Sequence, residues 1–296
     1  MSNKNISIGF IGLGVMGFHM AGHLLQNNFC LNILRRNSVK TKKFISKFGN
    51  NKNIKVFSQL SELAHFSNVI ISCVGNDNDL NTVYLKSDGI IKNIKEKSII
   101  IDHTTASEEI SIKLFNEFKK KKCFFFDAPI SGGENGAITG KLSIMVGGDK
   151  KVFNKLKKIL DPYSKSLVYM GKCGSGQITK MVNQICVASV IQGLAEGLTL
   201  AKAKKLDIDS LIEVISNGAA QSWQLENRAL SMWKNKFNFG FMNKLMLKDL
   251  NIILKQIKKN KINLPVTKKI KLYYQILVNN GFEKEDTSNL IRLLKR

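Results

Sequence analysis

The stretch ISIGFIGLGVMGFHMAGHLLQNNFCLNIL, residues 6–34, decides the fold of the amino-terminal half. An apolar run of strand type, residues 6–11, leads directly into Gly12-Leu13-Gly14-Val15-Met16-Gly17. A helical pattern and a second apolar run, residues 29–34, follow this turn. The order of strand, G-x-G-x-x-G, helix and strand is the one that a dinucleotide-binding βαβ unit requires.

The three glycines have separate roles in such a unit. Gly12 permits the tight turn, Gly14 lets the backbone approach a pyrophosphate, and Gly17 lets helix and sheet pack closely. The amide groups at the start of the helix then hold the phosphates. We therefore predict that the whole turn binds the cofactor, through Gly12, Leu13, Gly14, Val15, Met16 and Gly17.

The end of the second strand indicates which nicotinamide cofactor binds. An NAD-binding unit is expected to place an acid there to hold the ribose hydroxyls, but residues 1–61 contain no Asp or Glu. Arg35, Arg36 and Asn37 stand at this position instead, and cations suit a 2′-phosphate. The pattern favours NADP over NAD, although a basic bias of the whole chain would also place arginines in an exposed loop.

Further strands and helices alternate along the chain, and their loops supply more candidate residues. Val74, Gly75 and Asp79 lie at or just after the end of a strand at residues 69–74, and Thr105 follows the strand at residues 98–102. Because open parallel sheets bind ligands at the carboxyl ends of their strands, we expect these residues near the cofactor. A hydroxyl after the strand at residues 98–102 would contact the nicotinamide ribose or cap the next helix.

A serine and two glycines, Ser131, Gly132 and Gly133, follow another strand. Consecutive amide groups and a hydroxyl together suit a carboxylate. A tight loop without a ligand is the alternative, and the nearby Asn135 favours ligand binding.

A long, almost uncharged helical pattern runs over residues 174–205 and carries Lys180 in its first turns. Asn183 and Gln184 follow three and four residues later, so the three polar side chains share one helix face. Small residues around them predict a helix that is buried on most sides. The plain alternative to a catalytic lysine is a core helix whose lysine extends into water.

Length and periodicity predict two domains. The chain has 296 residues, which exceeds the usual size of one domain. Strand signals fade beyond residues 161–162, apart from a short one at residues 167–170, and helical patterns take over. We predict an α/β Rossmann-like domain at residues 1–163 and an all-α domain at residues 164–296, joined by a long interdomain helix.

The overall composition argues against several kinds of partner. The net charge is +24, but the lysines are scattered among surplus Asn and Ile, so nucleic acid is not the expected partner. The five cysteines form no C-x-x-C pair, which is typical of reduced thiols in a cytoplasmic protein. Polar residues interrupt the most apolar helix, so we expect no membrane partner. We expect no metal, because the H-x-x-x-H spacing at His19 and His23 has no third ligand.

Four stretches together resemble the β-hydroxyacid dehydrogenase family, of the 3-hydroxyisobutyrate dehydrogenase and 2-hydroxy-3-oxopropionate reductase type. They are residues 9–17, 127–140, 174–184 and 248–250. The resemblance covers nearly the whole chain. It implies an NADP- or NAD-dependent oxidoreductase that acts on the CH–OH group of a short hydroxy acid or on its semialdehyde. It also implies a helical domain that binds substrate and forms a dimer or larger homo-oligomer.

The resemblance also assigns roles to single residues. It makes Lys180 the catalytic general acid/base and places the substrate carboxylate on Ser131, Gly132 and Gly133. The other residues that it implies are Asn183, Gln184, Phe241 and Asp249 at the substrate, and Thr105 and Lys248 at the cofactor. Several family members have a second Asn where this chain has Gln184, so the resemblance leaves the substrate open.

The substrate prediction is 3-hydroxyisobutyrate, because the segments 219–223 and 239–241 carry bulky apolar side chains that suit a methyl-bearing acid. Tartronate semialdehyde, which is 2-hydroxy-3-oxopropionate, and glyoxylate or succinic semialdehyde are the alternatives. An alternative of another class is a non-catalytic nucleotide-sensing or nucleic-acid-binding protein. Lys180 and Ser131 speak against it, because a chain that had lost the chemistry would lose such residues early.

Overall fold

The computed structural model of the chain describes residues 3, 6–35, 38–49 and 53–294. Its contacts divide into two units, Met1–Lys180 and Met181–Arg296. The first unit alternates strands and helices: β1 (Ser7–Ile11), α1 (Val15–Gln26), β2 (Cys30–Leu34), α2 (Ser38–Phe48), β3 (Ile54–Phe57), α3 (Leu60–His65), β4 (Val69–Ser72), α4 (Asp77–Leu85), β5 (Ile99–Asp102), α5 (Glu108–Lys120), β6 (Phe124–Asp127), β7 (Ile130–Ser131), α6 (Gly133–Thr139), β8 (Leu142–Gly147), α7 (Lys150–Leu160) and β9 (Ser164–Gly171). Short 3-10 segments occupy Ile90–Lys92 and Asp161–Tyr163.

Within the described residues, these nine strands form one sheet in the order β3-β2-β1-β4-β5-β6-β8-β7, with β9 paired to β8. The strands β1 to β6 are parallel, whereas β8 is antiparallel to β6 and β7. This is the doubly wound, Rossmann-like arrangement that the sequence predicts, and the prediction is confirmed. The predicted domain limit lies at residue 163, whereas the sheet continues through β9 to Gly171.

The inner parallel strands β4, β5 and β6 are apolar except for their last residue and are almost fully buried, as expected where helices cover both faces of a sheet. Val69 and Ile71 of β4 and Phe126 of β6 belong to one buried cluster. The alternate residues Ile70 and Phe125 belong to a second cluster. Since successive side chains of a strand point to opposite faces, the two clusters are the cores above and below the sheet.

The second unit is helical. The helix α8 (Ser175–Ala203) begins in the first unit and continues in the second, and it is followed by α9 (Ile208–Ser216), α10 (Trp223–Trp233), α11 (Asn243–Asn260), α12 (Pro265–Asn279) and a 3-10 segment, Thr287–Leu294. A buried cluster joins α8, α10 and the 3-10 segment through Leu198, Leu225 and Ile291. The predicted helical region and its long connecting helix, α8, are confirmed, but β9 occupies the first residues of the predicted all-α domain.

One face of α8 is less buried than the sequence predicts. Val182 is 56% exposed, Leu200 is 63% exposed and the nearby Cys186 is exposed as well. By length and composition α8 is apolar enough to cross a bilayer, with a mean hydropathy of 1.3, and 39% of that window is buried. The prediction that this helix is buried on most sides is therefore wrong. None of the described segments covers its exposed apolar face.

Candidate active site

The carboxyl ends of four parallel strands meet in one row. Ile11 of β1 lies opposite Ser72 of β4, Ser72 lies opposite Asp102 of β5, and Asp102 lies opposite Asp127 of β6. The strand order reverses beside β1, and ligands of doubly wound sheets bind outside the carboxyl ends of the strands at such a reversal. The loops that leave this row are therefore the candidate cofactor site.

The glycine turn after β1 has the geometry that the motif predicts. Gly12 has a φ of +104°, and a Cβ on it would collide with the carbonyl of Cys73. A Cβ on Gly17 would collide with the carbonyl of Gly12. A Cβ on Gly14 would meet nothing within 4 Å, and no side chain among the described residues caps the start of α1 there.

The two outer glycines are therefore required by the chain's own packing, whereas Gly14 borders open space at a helix N-terminus. Such a cradle fits a pyrophosphate. Leu13, Val15 and Met16 belong to the same turn and first helical residues. The residues present thus fit a nicotinamide dinucleotide.

Arg35 follows β2 and is exposed, and its backbone N–H donates to the carbonyl of Phe57 at 2.8 Å. The other two residues of the predicted 2′-phosphate site, Arg36 and Asn37, lie outside the described residues. The selection of NADP over NAD stays a prediction.

The loops after β4 and β5 are held to each other by hydrogen bonds. The N–H of Val74 donates to Thr104 Oγ1 at 3.0 Å, and the N–H of Gly75 donates to Asp79 Oδ2 at 3.0 Å. Asp77 accepts from the N–H of Ser107 at 3.0 Å. The predicted cofactor residues Val74 and Gly75 therefore lie in a loop that is held by hydrogen bonds, and Asp79 lies in the first turn of α4. Thr105, half-buried, lies in the neighbouring loop.

Two buried carboxyls lie side by side at the row. Oδ1 of Asp102 accepts from Ser72 Oγ at 2.6 Å and from Thr104 Oγ1 at 2.7 Å, whereas its Oδ2 is buried without a hydrogen-bond partner among the described residues. Burial raises the pKa of Asp102 to about 7 and that of Asp127 to about 6, since desolvation disfavours the charged form. Neither group was predicted from the sequence, although an acid that ends an apolar strand is a signal that could have found them.

His103 is not a candidate acid or base. It is 2% exposed, its Nδ1 lies 2.6 Å from the carbonyl of Ala128, and its Nε2 lies 2.9 Å from the hydroxyl of Tyr163. Because a carbonyl only accepts, Nδ1 carries the proton and Nε2 accepts from the tyrosine. Burial lowers the pKa of His103 to about 4, which keeps the ring neutral.

The first turn of α8 is bonded to the end of β6 and to the loop after β5. Asp127 accepts from the N–H of Gly174 at 2.8 Å and from the N–H of Gln177 at 2.9 Å. The side chain of Gln177 accepts from the N–H of Ala106 at 3.0 Å and donates to the carbonyl of Thr104 at 2.8 Å. Gln177 was not predicted from the sequence, and only its place just after Gly174 and Gly176 could have drawn attention to it.

Lys180 lies one turn further along α8 and is 7% exposed. Its helix therefore starts at the strand ends from which the glycine turn and the Thr105 loop also leave. The alternative of a core helix whose lysine extends into water predicts an exposed side chain, and this lysine is buried.

The predicted carboxylate loop lies to one side of the row. Ser131 ends β7, where it pairs with Ser143 of β8, and Gly132 and Gly133 follow with φ angles of +131° and +62°. Both glycines are exposed. Positive φ angles are costly for other residues, so the turn itself explains the two glycines in part.

The second unit contains a connected polar cluster, which we call the amide cluster: Asn183, Gln184, Lys248 and Asp249. Asn183 Nδ2 donates to Gln184 Oε1 at 2.9 Å, and Gln184 Nε2 donates to Asp249 Oδ2 at 2.7 Å. Lys248 Nζ lies 3.3 Å from Asp249 Oδ1. Two pairs of residues that lie far apart in the sequence therefore belong to one network, and Gln184 and Asp249 are 3% and 2% exposed.

Phe241 lies in a different part of the second unit. Its N–H donates to Asp286 Oδ2 at 2.9 Å, and its carbonyl accepts from the N–H of Thr287 at 2.8 Å. Asp286 also pairs with Arg228, whose guanidinium lies 4.9 Å from the ring centres of both Trp223 and Phe239. The structure therefore does not join Phe241 to the amide cluster.

Two protein families match consecutive parts of the chain. The family described as the NAD binding domain of 6-phosphogluconate dehydrogenase matches residues 7–171. The family described as the NAD-binding domain of NADP-dependent 3-hydroxyisobutyrate dehydrogenase matches residues 174–294. Their limits agree with the end of β9 and the start of α8.

Single proteins match over nearly the full length. An uncharacterized oxidoreductase of Shewanella frigidimarina (strain NCIMB 400) is 40% identical over 98% of both chains. The 2-hydroxy-3-oxopropionate reductase of Escherichia coli (strain K12) is 31% identical over 98% of this chain and 97% of its own. The structure of Mycobacterium tuberculosis 3-hydroxyisobutyrate dehydrogenase with L-serine shares the fold, with a TM-score of 0.88 at 23% identity over 98% of this chain and 99% of its own. The chain therefore belongs to the β-hydroxyacid dehydrogenase family and is an NAD(P)-dependent oxidoreductase that acts on hydroxyl groups of hydroxy acids.

Proposed function

We propose that the chain interconverts 3-hydroxyisobutyrate and its semialdehyde with NADP(H), and that Lys180 is the general acid/base. The observation that carries this proposal is the burial of Lys180 one turn into a helix whose first turn is bonded to the end of β6 and to the loop after β5. A buried amine close to the strand ends of a dinucleotide-binding sheet is the kind of group that proton transfer needs.

The glycine turn would hold the dinucleotide, and a bound nicotinamide would supply the hydride acceptor for the carbon that carries the hydroxyl group, or the hydride donor for the aldehyde. The chain has to move the remaining proton. On oxidation the neutral amine of Lys180 takes the hydroxyl proton, and on reduction the ammonium form gives a proton to the forming alkoxide. Proton transfer of this kind is worth ~10²- to 10⁴-fold in rate. His103 cannot take this role in place of Lys180, because both nitrogens of its ring are already hydrogen-bonded.

The substrate side of the proposal rests on two groups of residues. Ser131, Gly132 and Gly133 offer a hydroxyl and exposed amide groups to the carboxylate. Asn183 contacts the hydroxy acid in the proposed complex. Trp223 and Phe239 are 48% and 38% exposed, so apolar surface is available to a methyl group. The match of residues 174–294 to the 3-hydroxyisobutyrate dehydrogenase domain supports this substrate and NADP.

A second candidate substrate is 2-hydroxy-3-oxopropionate, because the E. coli reductase of that name is 31% identical over almost the whole chain. The two candidates differ at the carbon next to the carboxylate, which carries a methyl group in one and a hydroxyl in the other. An apolar surface favours the methyl group by ~1 to 3 kcal/mol. This difference is large enough to measure.

The test is a spectrophotometric screen of purified protein. It compares 3-hydroxyisobutyrate, 2-hydroxy-3-oxopropionate, glyoxylate and succinic semialdehyde, each with NADP(H) and with NAD(H), and follows the absorbance of the reduced nicotinamide. We expect the highest kcat/KM for 3-hydroxyisobutyrate with NADP. A higher kcat/KM for 2-hydroxy-3-oxopropionate would replace the substrate in the proposal without changing the role of Lys180.

A further inference from the structure

The side chain of Gln177 pairs with one main-chain N–H and one main-chain carbonyl, as the backbone of a neighbouring strand would. Its Oε1 accepts from the N–H of Ala106 at 3.0 Å and its Nε2 donates to the carbonyl of Thr104 at 2.8 Å. The side chain is 0% exposed. Because one end of the amide must accept and the other must donate, the orientation of the side chain is determined by its partners.

The main chain of the same turn is held from another side. Asp127, at the end of β6, accepts from the N–H groups of Gly174 and Gln177. A Cβ on Gly176 would lie 2.5 Å from the carbonyl oxygens of Asp127 and Met145. The start of α8 therefore lies directly against two strands, and Gln177 adds a connection to the loop after β5.

We propose that Gln177 is a positioning residue for catalysis: its amide fixes the start of the helix that carries Lys180 against the loop that carries Thr105. Lys180 is three residues further along the helix and so on the same side, and Thr105 is the residue between the two bonded groups. Gln177 does not touch the reacting atoms in this proposal. The inference rests on the proposed role of Lys180 and adds what holds that lysine in place.

The loss of both bonds tests the proposal directly. Q177M keeps the length of the side chain and removes the donor and the acceptor. We expect kcat to fall ~10- to 100-fold, since small misplacements of a catalytic group cost about this much, while KM for NADP changes little. Hydrogen exchange gives a readout without turnover: amides of residues 104–106 and 174–180 should exchange faster in Q177M. Unchanged exchange in both segments would overturn the inference.

A carboxyl at this position provides a sharper, pH-dependent test. In Q177E the protonated carboxyl can keep both bonds, because its carbonyl accepts from Ala106 and its hydroxyl donates to Thr104. The ionised form cannot donate, and burial beside Asp127 raises the pKa of the introduced group. We expect kcat of Q177E to be near that of the wild type at low pH and to fall as the pH rises, with a step that the wild type lacks.

The matched control is Q192E, which introduces the same change into the same helix. Gln192 is 8% exposed and donates to Glu196 Oε1 at 2.7 Å, so its ionisation also destabilises the fold. We expect Q192E to lose thermal stability as the pH rises but to keep the kcat profile of the wild type. A flat kcat profile in folded Q177E, or the same step in Q192E, would show a structural role only and overturn the inference.

K180M, measured alongside, separates this inference from the proposed function. If K180M keeps turnover, the role of Lys180 is wrong and the positioning of that lysine is wrong with it. If K180M loses turnover while Q177M and Q177E behave like the wild type, only the inference about Gln177 fails.

Discussion

Two polar clusters along α8 are built in different ways. At the first turn, Gln177 bonds to main-chain groups of Thr104 and Ala106, and Asp127 accepts main-chain N–H groups. In the amide cluster, Asn183, Gln184 and Asp249 bond through side chains. Main-chain partners are present whatever the neighbouring side chains are, whereas a side-chain partner changes with the sequence. We therefore expect the first turn to serve the reaction common to the family and the amide cluster to adjust substrate choice.

The largest effect should come from Lys180, which lies between the two clusters in the sequence. K180A removes the proton donor, so we expect kcat to fall by ~10³-fold or more while the affinity for NADPH stays near that of the wild type. Steady-state turnover assays and a fluorescence titration with NADPH measure the two quantities. Equal losses of turnover and of NADPH affinity would contradict the role of a general acid/base.

The second prediction concerns the effect on stability of Asp102, which ends β5 beside the first-turn cluster. The pKa of Asp102 rises from 3.8 to about 7 on folding, so between about pH 4 and 7 the folded chain holds a proton that the unfolded chain has lost. Such a group contributes stability at low pH that is lost as the pH rises. The asparagine of D102N cannot ionise, so this variant lacks the pH-dependent loss of stability. We therefore expect the free energy of unfolding of D102N to improve relative to the wild type by a few kcal/mol across this window, at ~1.4 kcal/mol per unit of pKa shift.

Urea denaturation at several pH values measures this difference. D88N, a change at an exposed aspartate, is the matched control and should show no such trend. A difference between D102N and the wild type that is the same at every pH would mean that Asp102 is ionised throughout.

A smaller effect is expected in the amide cluster. Q184L removes the donor to Asp249 and the acceptor for Asn183, and a hydrogen bond to a charged group is worth ~1.5 to 3 kcal/mol. We expect kcat/KM for the hydroxy acid to fall by at least ~10-fold and KM for NADP to stay unchanged. Q192L is the control on the same helix. If Q184L weakened the use of NADP as much as the use of the hydroxy acid, the two clusters would not differ in function.

The smallest effect is expected outside both clusters, at Arg35. Its side chain is exposed, and exposed charge interactions are worth less than ~1 kcal/mol. R35A should raise KM for NADP ~3- to 5-fold and leave KM for NAD unchanged. If both values rise together, Arg35 does not contact the 2′-phosphate.

The fold and the cofactor turn could be predicted because their signals are local. A Gly-rich turn after an apolar run and the change from strand to helix periodicity each lie within a few neighbouring residues. The partners of Gln177 and Gln184 could not be predicted, because 71 residues separate Gln177 from Ala106 and 65 separate Gln184 from Asp249. The residues around a buried glutamine in the sequence do not indicate which distant group its amide will bond. The burial of α8 was overestimated for a related reason, since small apolar residues look alike whether or not a neighbour covers them.

The contacts of Asp286 have a practical consequence for protein engineering. This single carboxylate accepts from the N–H of Phe241, from Ser288 and from Arg228, so the last 3-10 segment and the Phe241 loop are tied to the same anchor. A variant shortened before Asp286 would lose this anchor and free the Phe241 loop, and because Phe241 is a predicted substrate residue we expect the selectivity to change. Truncated versions of this enzyme should therefore be judged by their substrate profile and not by their melting temperature alone.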